Sequence, residues 1–320
     1  MRKAYLLRQG RLVETEDLER AVWIDLLSPS REEEVDLEKV LGLGLPTKED
    51  MEEIEISSRL YEEDGGLFMT AQLPANTEEE ENTTMGPVTF VLVAHRLVTI
   101  RYHDPKSFGL FANRAARVPM SGDCGETVFL SLLETIVDRL ADVIERAGRT
   151  VTPVSKGIFQ TSGSSPKRAQ QHRSHLETIG RTGDLISDIR DSLMTLDRVV
   201  GYYAQHIVRI EGTEEQRARL KTITRDLHSI GDHAGFLSGK ITLLLDATLG
   251  MIGIEQNGII KIFSVAAVVF LPPTLVASIY GMNFEFIPEL KWPFGYPFAI
   301  GLMILSALLP YWFFKRKGWL

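Results

Sequence analysis

Ile262-Phe263-Ser264-Val265-Ala266-Ala267-Val268-Val269-Phe270-Leu271-Pro272-Pro273-Thr274-Leu275-Val276-Ala277-Ser278-Ile279-Tyr280 runs for 19 residues without a charge, and Gly281-Met282-Asn283 follows at once. A second uncharged run of 19 residues, Tyr296 to Phe314, begins after a link of 12 residues, Phe284 to Gly295. The hydrocarbon core of a bilayer is about 30 Å thick and takes roughly 20 apolar residues per helix. Both runs satisfy that length. The short link makes them an antiparallel hairpin whose tip carries Gly-Met-Asn, then Glu285 and Glu289.

Charge sets the expected orientation. Lys261 precedes the first run, and Lys315, Arg316 and Lys317 follow the second, whereas the link holds only Lys291 against two glutamates. Cations gather on the cytoplasmic side of membrane helices, so both termini are expected inside and the hairpin tip outside. The N-terminus, Met1-Arg2-Lys3-Ala4-Tyr5, opens no long apolar run, and no cleavable signal peptide is expected.

The chain has 320 residues, beyond the size at which single cores usually divide. Its hydrophobic fraction of 44% is ordinary, because the apolar excess is confined to the last fifth. What precedes is acidic enough to bring the net charge to −8, which disfavours nucleic acid as a partner and suits cations. The single cysteine, Cys124, excludes an intramolecular disulfide framework and fits a reducing cytosol.

Residues 1–120 read as a cytoplasmic domain mixing strands and helices. Val22 to Leu27 is a strand, and Ser30 with Glu33 opens a capped helix through about Leu43. Thr47 caps a second short helix. Tyr61 to Pro74 reads as two strands around Asp64-Gly65-Gly66, and Pro87 to Tyr102 as two more joined at His95-Arg96. Asp104-Pro105 reads as N-cap and first helical residue of a further helix.

Residues 121–210 read as a long helical hairpin, one helix from Glu126 to Phe159 and a second to Arg209, parted at Ser162-Gly163-Ser164-Ser165-Pro166. Thr213 and Gln216 form another capping box, opening a stalk over 211–260. Leu220, Ile223, Leu227, Ile230, Ala234, Leu237, Ile241 and Leu244 recur three and four apart, a heptad seam that needs other long helices to pack against. Gly231, Gly235 and Gly239 sit within this region at a spacing of four. One unbroken helix from Glu214 to Tyr280 is expected, although Gly250 to Gly258 offers a place to break it. The fold class is therefore an α+β cytoplasmic domain, long helices and a C-terminal two-helix transmembrane hairpin.

Gly281 lies where a helix must stop, and glycine suits such an end because it tolerates positive φ. The helix end presents unpaired carbonyl oxygens beside the Asn283 amide oxygen, neutral ligands for a hard cation. Several copies around an axis would form an oxygen ring suited to Mg²⁺, which dehydrates reluctantly. Asn257, Ser264, Thr274 and Ser278 are the polar positions leading into it. The runs contain no Asp, Glu, Lys, Arg or His, so no intramembrane proton relay is expected. No Gly-x-x-x-x-Gly-Lys-Ser/Thr loop supports ATP drive, no organic cofactor is expected, and an enzyme is disfavoured. His172 and His175, three apart, read as surface histidines, since nothing completes a metal set.

Tyr280-Gly281-Met282-Asn283, the following Phe284-Glu285-Phe286-Ile287-Pro288-Glu289-Leu290, and the terminal Lys315-Arg316-Lys317-Gly318-Trp319-Leu320 resemble the CorA family of divalent-cation transporters. The resemblance implies Mg²⁺ influx, with Co²⁺ and Ni²⁺ also permeant, across the inner membrane. It implies a funnel-shaped homo-oligomer, a pentamer with the first spans innermost. Tyr280, Gly281, Met282 and Asn283 become the selectivity filter, and Glu285 and Glu289 a cation-attracting loop. Counting back from Tyr280, Asn257, Phe263, Leu271, Thr274 and Ser278 fall where the family lines its pore, Phe263 and Leu271 being hydrophobic constrictions. Leu271-Pro272-Pro273 departs from the family's Met-Pro, and Ser278 replaces a common glycine. Asp226 and Asp232 are candidates for a regulatory Mg²⁺ site on the stalk. Lys315, Arg316 and Lys317 would meet anionic headgroups and ring the inner mouth.

Two other readings stay open at this stage. One is a zinc-transporting branch of the same superfamily, for which dependence of flux on protons is the discriminating observation. A non-transporting membrane-anchored scaffold would need the heptad seam but not Asn283.

Overall fold

The computed structural model describes residues 1–78, 83–160, 167–283 and 292–318, and these form two compact units, Met1–Leu245 and Asp246–Leu320. Within the first unit, seven strands make one sheet in the order β2-β1-β3-β7-β6-β5-β4. The strands are β1 (Arg2–Arg8), β2 (Arg11–Thr15), β3 (Trp23–Leu27), β4 (Leu60–Glu63), β5 (Gly66–Ala75), β6 (Thr84–Val93) and β7 (Arg96–Arg101). Only β3 and β7 pair in parallel; the other neighbours are antiparallel.

Most residues of β5, β6 and β7 are buried, so both faces of the central sheet are covered and the strands read as apolar runs. Ile24, Phe68, Val91 and Val98 meet Leu37 and Met51, from α1 (Arg31–Leu41) and α2 (Lys48–Glu52). On the opposite face Phe90 meets Phe129 edge-on with ring centres 5.5 Å apart, and Phe129 meets Tyr203 at 4.9 Å. Those last two belong to α5 (Gly125–Gln160) and α6 (Lys167–Arg209). Helices thus sandwich the sheet.

Local sequence signals account for much of this. Ser30 and Glu33 form the expected reciprocal capping box, and Thr47 with Asp50 forms another. The α1 helix stops at Gly42 with φ 73°, slightly before the expected Leu43. The hairpin turns are Asp64-Gly65 and Ala94-His95, both with positive φ. Gly66 therefore starts β5, and the second turn lies one residue earlier than His95-Arg96.

Two readings need correction. Pro105, not Asp104, is the N-cap of α4 (Lys106–Ala115), without a side-chain cap bond. The Asp104 carboxylate instead accepts from Arg101, a buried guanidinium whose other face is bonded by Asp25. His172 is buried at 6% exposure rather than on the surface. It lies on the α6 face turned inward, and His175 nearby crowds Gly157 of α5. The β1–β2 hairpin had no counterpart in the sequence reading. Its strands are charged and only partly buried, and its turn, Gln9-Gly10, is a weak turn signal.

α7 (Glu214–Tyr280) is a single helix of 67 residues, uninterrupted over Gly250 to Gly258. Thr213 and Gln216 cap it reciprocally at 2.9 and 3.2 Å. Seven of the eight seam residues are buried, Ile230 being the half-buried exception. Leu237 lies against Gly148 of α5 and Ile241 against Gly183 of α6. The seam is therefore occupied within the chain. α8 (Gly295–Arg316) is the second apolar helix of the second unit.

Candidate functional site: the end of the first apolar helix

α7 and α8 are the two described helices long and apolar enough to cross a membrane. In their apolar windows 6% of residues are buried, so almost the whole surface is left for lipid or for other chains. Val265 on α7 and Ala299 on α8 are the buried exceptions, small enough for close helix approach.

The last turn of α7 closes tightly. Gly281 N donates to Ala277 O at 2.9 Å, and Met282 N to Ile279 O at 3.3 Å. Gly281 does not take the left-handed conformation expected of a helix-ending glycine. Space favours glycine instead, since a Cβ there would sit 3.1 Å from the Ala277 carbonyl oxygen, which would have to give by a few tenths of an ångström. Gly281, Met282 and Asn283 are all exposed, and Tyr280 is half-buried. The end of an apolar helix thus offers carbonyl oxygens, a negative dipole end and an amide to whatever approaches.

Asn257, Phe263, Leu271, Thr274 and Ser278 all belong to this helix. At 100° per residue they fall within an arc of roughly 120° on one face. All five are exposed, Phe263 at 72% and Leu271 at 68%. Thr274 differs in one respect: its hydroxyl donates to the Phe270 carbonyl at 2.8 Å. Helix geometry therefore brings the five expected positions onto one face. Glu285 and Glu289 lie outside the described residues.

At the other end of the hairpin, Lys315 and Arg316 close α8 and Lys317 caps it. The Arg316 guanidinium stands 4.1 Å from the Trp312 ring centre, and the Lys317 ammonium 5.9 Å from that of Phe313. Lys261 of α7 donates to the Gly318 carbonyl at 3.1 Å, joining the two helices at this end.

The two stalk acids part company. Asp226 pairs with neighbouring Arg225 at 3.6 Å and also faces α5. There it adds to the charge that, after desolvation and together with Asp142 and Glu134, holds the Asp138 carboxyl above its ordinary value. Asp232 lines a cleft of about 750 Å³ between α6 and α7, with Asp188, Asp191, Asp197 and His228. His228 lies 3.3 Å from Asp197. Burial, then Asp184 and Asp191, raise the Asp188 pKa. Among the described residues no three His, Cys, Asp or Glu side chains are placed to hold one ion. The acids of α5 and α6 were visible in the sequence as carboxylates repeating along helices, yet the sequence reading singled out only the two on α7.

Two uncharged spans, the first ending in exposed carbonyl and amide oxygens, fit the class of two-span membrane proteins. The comparisons agree. Residues 19–316 match the family described as CorA-like Mg²⁺ transporter protein. The chain is 38% identical over 326 residues to a magnesium transport protein CorA of Pasteurella multocida (strain Pm70), covering 100% of both chains. It is 38% identical over 325 residues to that of Escherichia coli (strain K12), again with 100% of both covered. The solved structure of the CorA magnesium transporter from Methanocaldococcus jannaschii shares the fold, with TM-score 0.71 and 20% identity over 100% of this chain and 99% of that one. The chain belongs to the CorA-like Mg²⁺ transporter family, a family of transporters rather than enzymes.

Proposed function

We propose that this protein carries Mg²⁺, with Co²⁺ and Ni²⁺ as further permeant ions, into the cell across the inner membrane. The observation that carries this reading is that Asn257, Phe263, Leu271, Thr274 and Ser278 share one face of α7, a helix exposed over nearly its whole apolar surface, and that this face leads to exposed Gly-Met-Asn. Two helices cannot enclose a pore, so the reading requires a homo-oligomer, and we propose a pentamer with α7 innermost. Phe236 and Leu243 support assembly: seven apart on α7, they remain 66% and 60% exposed while the main seam is buried within the chain.

In this reading Tyr280, Gly281, Met282 and Asn283 form the filter at the outer mouth, where neutral oxygens hold an ion through its water shell. Glu285 and Glu289 concentrate cations ahead of it. Phe263 and Leu271 constrict the path, gating by dewetting. Both termini face the cytoplasm, and Lys315, Arg316 and Lys317 surround the inner mouth. The spans hold no titratable relay, so the membrane potential drives the ion, at about 4.6 kcal/mol per divalent charge per 100 mV. Asp226 and Asp232 act as regulatory sensors of internal Mg²⁺, supported by the acidic residues that Asp226 and Asp232 face on α5 and α6.

Reconstitution tests the reading. The wild-type oligomer in liposomes is expected to pass Mg²⁺ down its electrochemical gradient without regard to a pH gradient. Asn283→Ala is expected to abolish that flux while leaving the oligomer intact. Normal uptake by this variant would overturn the filter assignment, and Zn²⁺ flux that rises with inward protons would move the protein to zinc transport.

A further inference from the structure

We propose that Lys261, Lys315, Arg316 and Lys317 form a binding site for the phosphate of an anionic phospholipid, and that the bound headgroup couples the outer helix to the pore helix. The proposal rests on the reading of α7 and α8 as membrane spans. It goes beyond that reading by assigning this end of the hairpin a specific ligand and a consequence for transport.

Three observations on the second unit support the site. First, the cations come from both helices but meet at one end. Lys261 Nζ reaches the Gly318 carbonyl at 3.1 Å, so the start of one span and the finish of the other are joined there. Lys261 stands one residue before the uncharged run of α7, and Lys315 directly after that of α8.

Second, the last turn of α8 is amphipathic in a way that suits a headgroup. Trp312 and Phe313 are 56% and 55% exposed. Their rings are covered by Arg316 at 4.1 Å and Lys317 at 5.9 Å. Aromatic rings at the headgroup level with cations stacked over them leave the guanidinium plane and the ammonium facing the same layer. A phosphodiester held there accepts from a planar, two-pronged donor and a point charge together.

Third, no ion pair to Lys315, Arg316 or Lys317 is seen among the described residues. Their exposure and stacking leave three positive charges within three consecutive residues at an apolar boundary. Such a group attracts anionic lipid by roughly fivefold in affinity per cation. Helix position adds to this only weakly, because the Gly318 turn, with φ 68°, satisfies the last carbonyls locally.

The coupling follows from Lys261. A headgroup bridging Arg316 and Lys261 ties α8 to the residue two positions before Phe263, the first constriction in the proposed pore. Anionic lipid would then hold the inner end of the pore helix against its outer partner. Zwitterionic lipid, lacking net charge, would not.

The test uses the full-length oligomer purified in detergent and in nanodiscs of defined composition. Native mass spectrometry would count lipids retained from mixtures of phosphatidylglycerol and phosphatidylcholine, and stopped-flow assays would follow Mg²⁺ flux in each bilayer. Preferential retention of phosphatidylglycerol by the wild type is expected. Arg316→Gln with Lys317→Gln should lower that preference by about 25-fold, two cations at fivefold each. The charge-preserving pair Arg316→Lys with Lys317→Arg should keep it. Lys261→Gln should lower the preference by about fivefold, one cation, and in addition remove the dependence of flux on phosphatidylglycerol.

Equal retention of both lipids by the wild type would overturn the site. So would loss of lipid preference in the charge-preserving pair, which would point to packing rather than charge. Displacement of phosphatidylglycerol by millimolar glycerol phosphate would overturn the lipid assignment in favour of a free phosphate ligand. Failure of the membrane reading is separate: it would appear as a chain that does not enter the nanodisc at all.

Discussion

The Thr274 hydroxyl donates to the carbonyl of Phe270, 2.8 Å away, one turn back along the same helix. Between them lie Pro272 and Pro273, which lack the amide hydrogens that would serve the carbonyls of Val268 and Val269. The helix nevertheless continues to Tyr280. Thr274 is therefore engaged with a stretch of backbone already short of donors: its hydroxyl is held in a rotamer turned onto its own helix, with the proton committed and only the lone pairs left for an approaching ion.

That commitment separates two neutral positions in the proposed pore. Thr274→Val should preserve assembly and leave Mg²⁺ flux within about threefold of wild type, since it removes one intrahelical hydrogen bond of about 1 kcal/mol or less. Ser278→Ala should slow flux more. Its exposed hydroxyl, with no protein acceptor seen among the described residues and about one turn from Asn283, is free to turn its lone pairs toward the ion, whereas that of Thr274 is held against its own helix. Liposome uptake rates for the two variants compare them directly. A larger loss from Thr274→Val would mean that its hydroxyl faces the ion.

Asp25 and Arg101 illustrate what the sheet depends on. Their side chains are each 7% exposed and meet at 2.7 Å, and Asp25 also accepts from Thr99 at 2.8 Å. Trp23 donates to that same Thr99 at 3.0 Å, so four residues of the two parallel strands form one network. Removing one member of a buried pair costs about 3–5 kcal/mol when the other charge is left alone; here Asp104 still accepts from Arg101, which holds the loss to the lower end of that range or below. Asp25→Ala should lower the unfolding midpoint of the full-length protein in detergent accordingly. Exposed Arg149→Ala, which breaks a pair to Glu145 at 69% and 67% exposure, should change it hardly at all.

His103 gives the protein a stability dependence on pH. Its Nε2 donates to the Leu73 carbonyl at 2.8 Å, and burial holds the ring pKa below the ordinary 6.5 against the opposing effect of that bond. Arg101 lowers it further, and Asp104 raises it. The unfolded chain takes up the proton first as pH falls. Stability is thus fully present above pH 6.5 and declines as pH drops from 6.5 toward the depressed folded value. Chemical denaturation at pH 7.5 and 5.5 should show this decline in the wild type and less of it in His103→Gln. An equal decline in both would remove His103 as the cause.

The sequence made the two spans, the capping boxes at Ser30, Thr47 and Thr213, and the length of α7 legible, because each depends on near neighbours or on plain apolarity. It misplaced the start of α4, because the buried Arg101 claims Asp104 from a neighbouring strand end, a contact no local pattern reveals. The β1–β2 hairpin escaped notice because strands such as Arg11-Leu12-Val13-Glu14-Thr15 bury only Leu12 and show little alternation. The heptad seam was legible as a seam but not its partners: Gly148 and Gly183, where Leu237 and Ile241 settle, lie far away in sequence. At the site, the spacing that puts Asn257, Leu271 and Ser278 on one face is written in the sequence. The crowding that favours glycine at 281 is not, because it rests on a distance to the Ala277 carbonyl.

That distance leads to the sharpest test of the mouth. A Cβ on residue 281 would lie 3.1 Å from Ala277 O, so the backbone must give by a few tenths of an ångström to admit it. The Gly281 amide bonds that same oxygen at 2.9 Å, so the adjustment moves the closing hydrogen bond of α7 and, with it, Met282 and Asn283. Gly281→Ala should therefore reduce Mg²⁺ flux at least about tenfold, equivalent to about 1.4 kcal/mol of lost fit, while the oligomer and its unfolding midpoint stay near wild type. Met282→Leu, similar in volume and without a new backbone contact, should cost far less. If the alanine variant conducts like wild type, the helix end does not set the position of Asn283, and selectivity must be sought elsewhere along the face of α7.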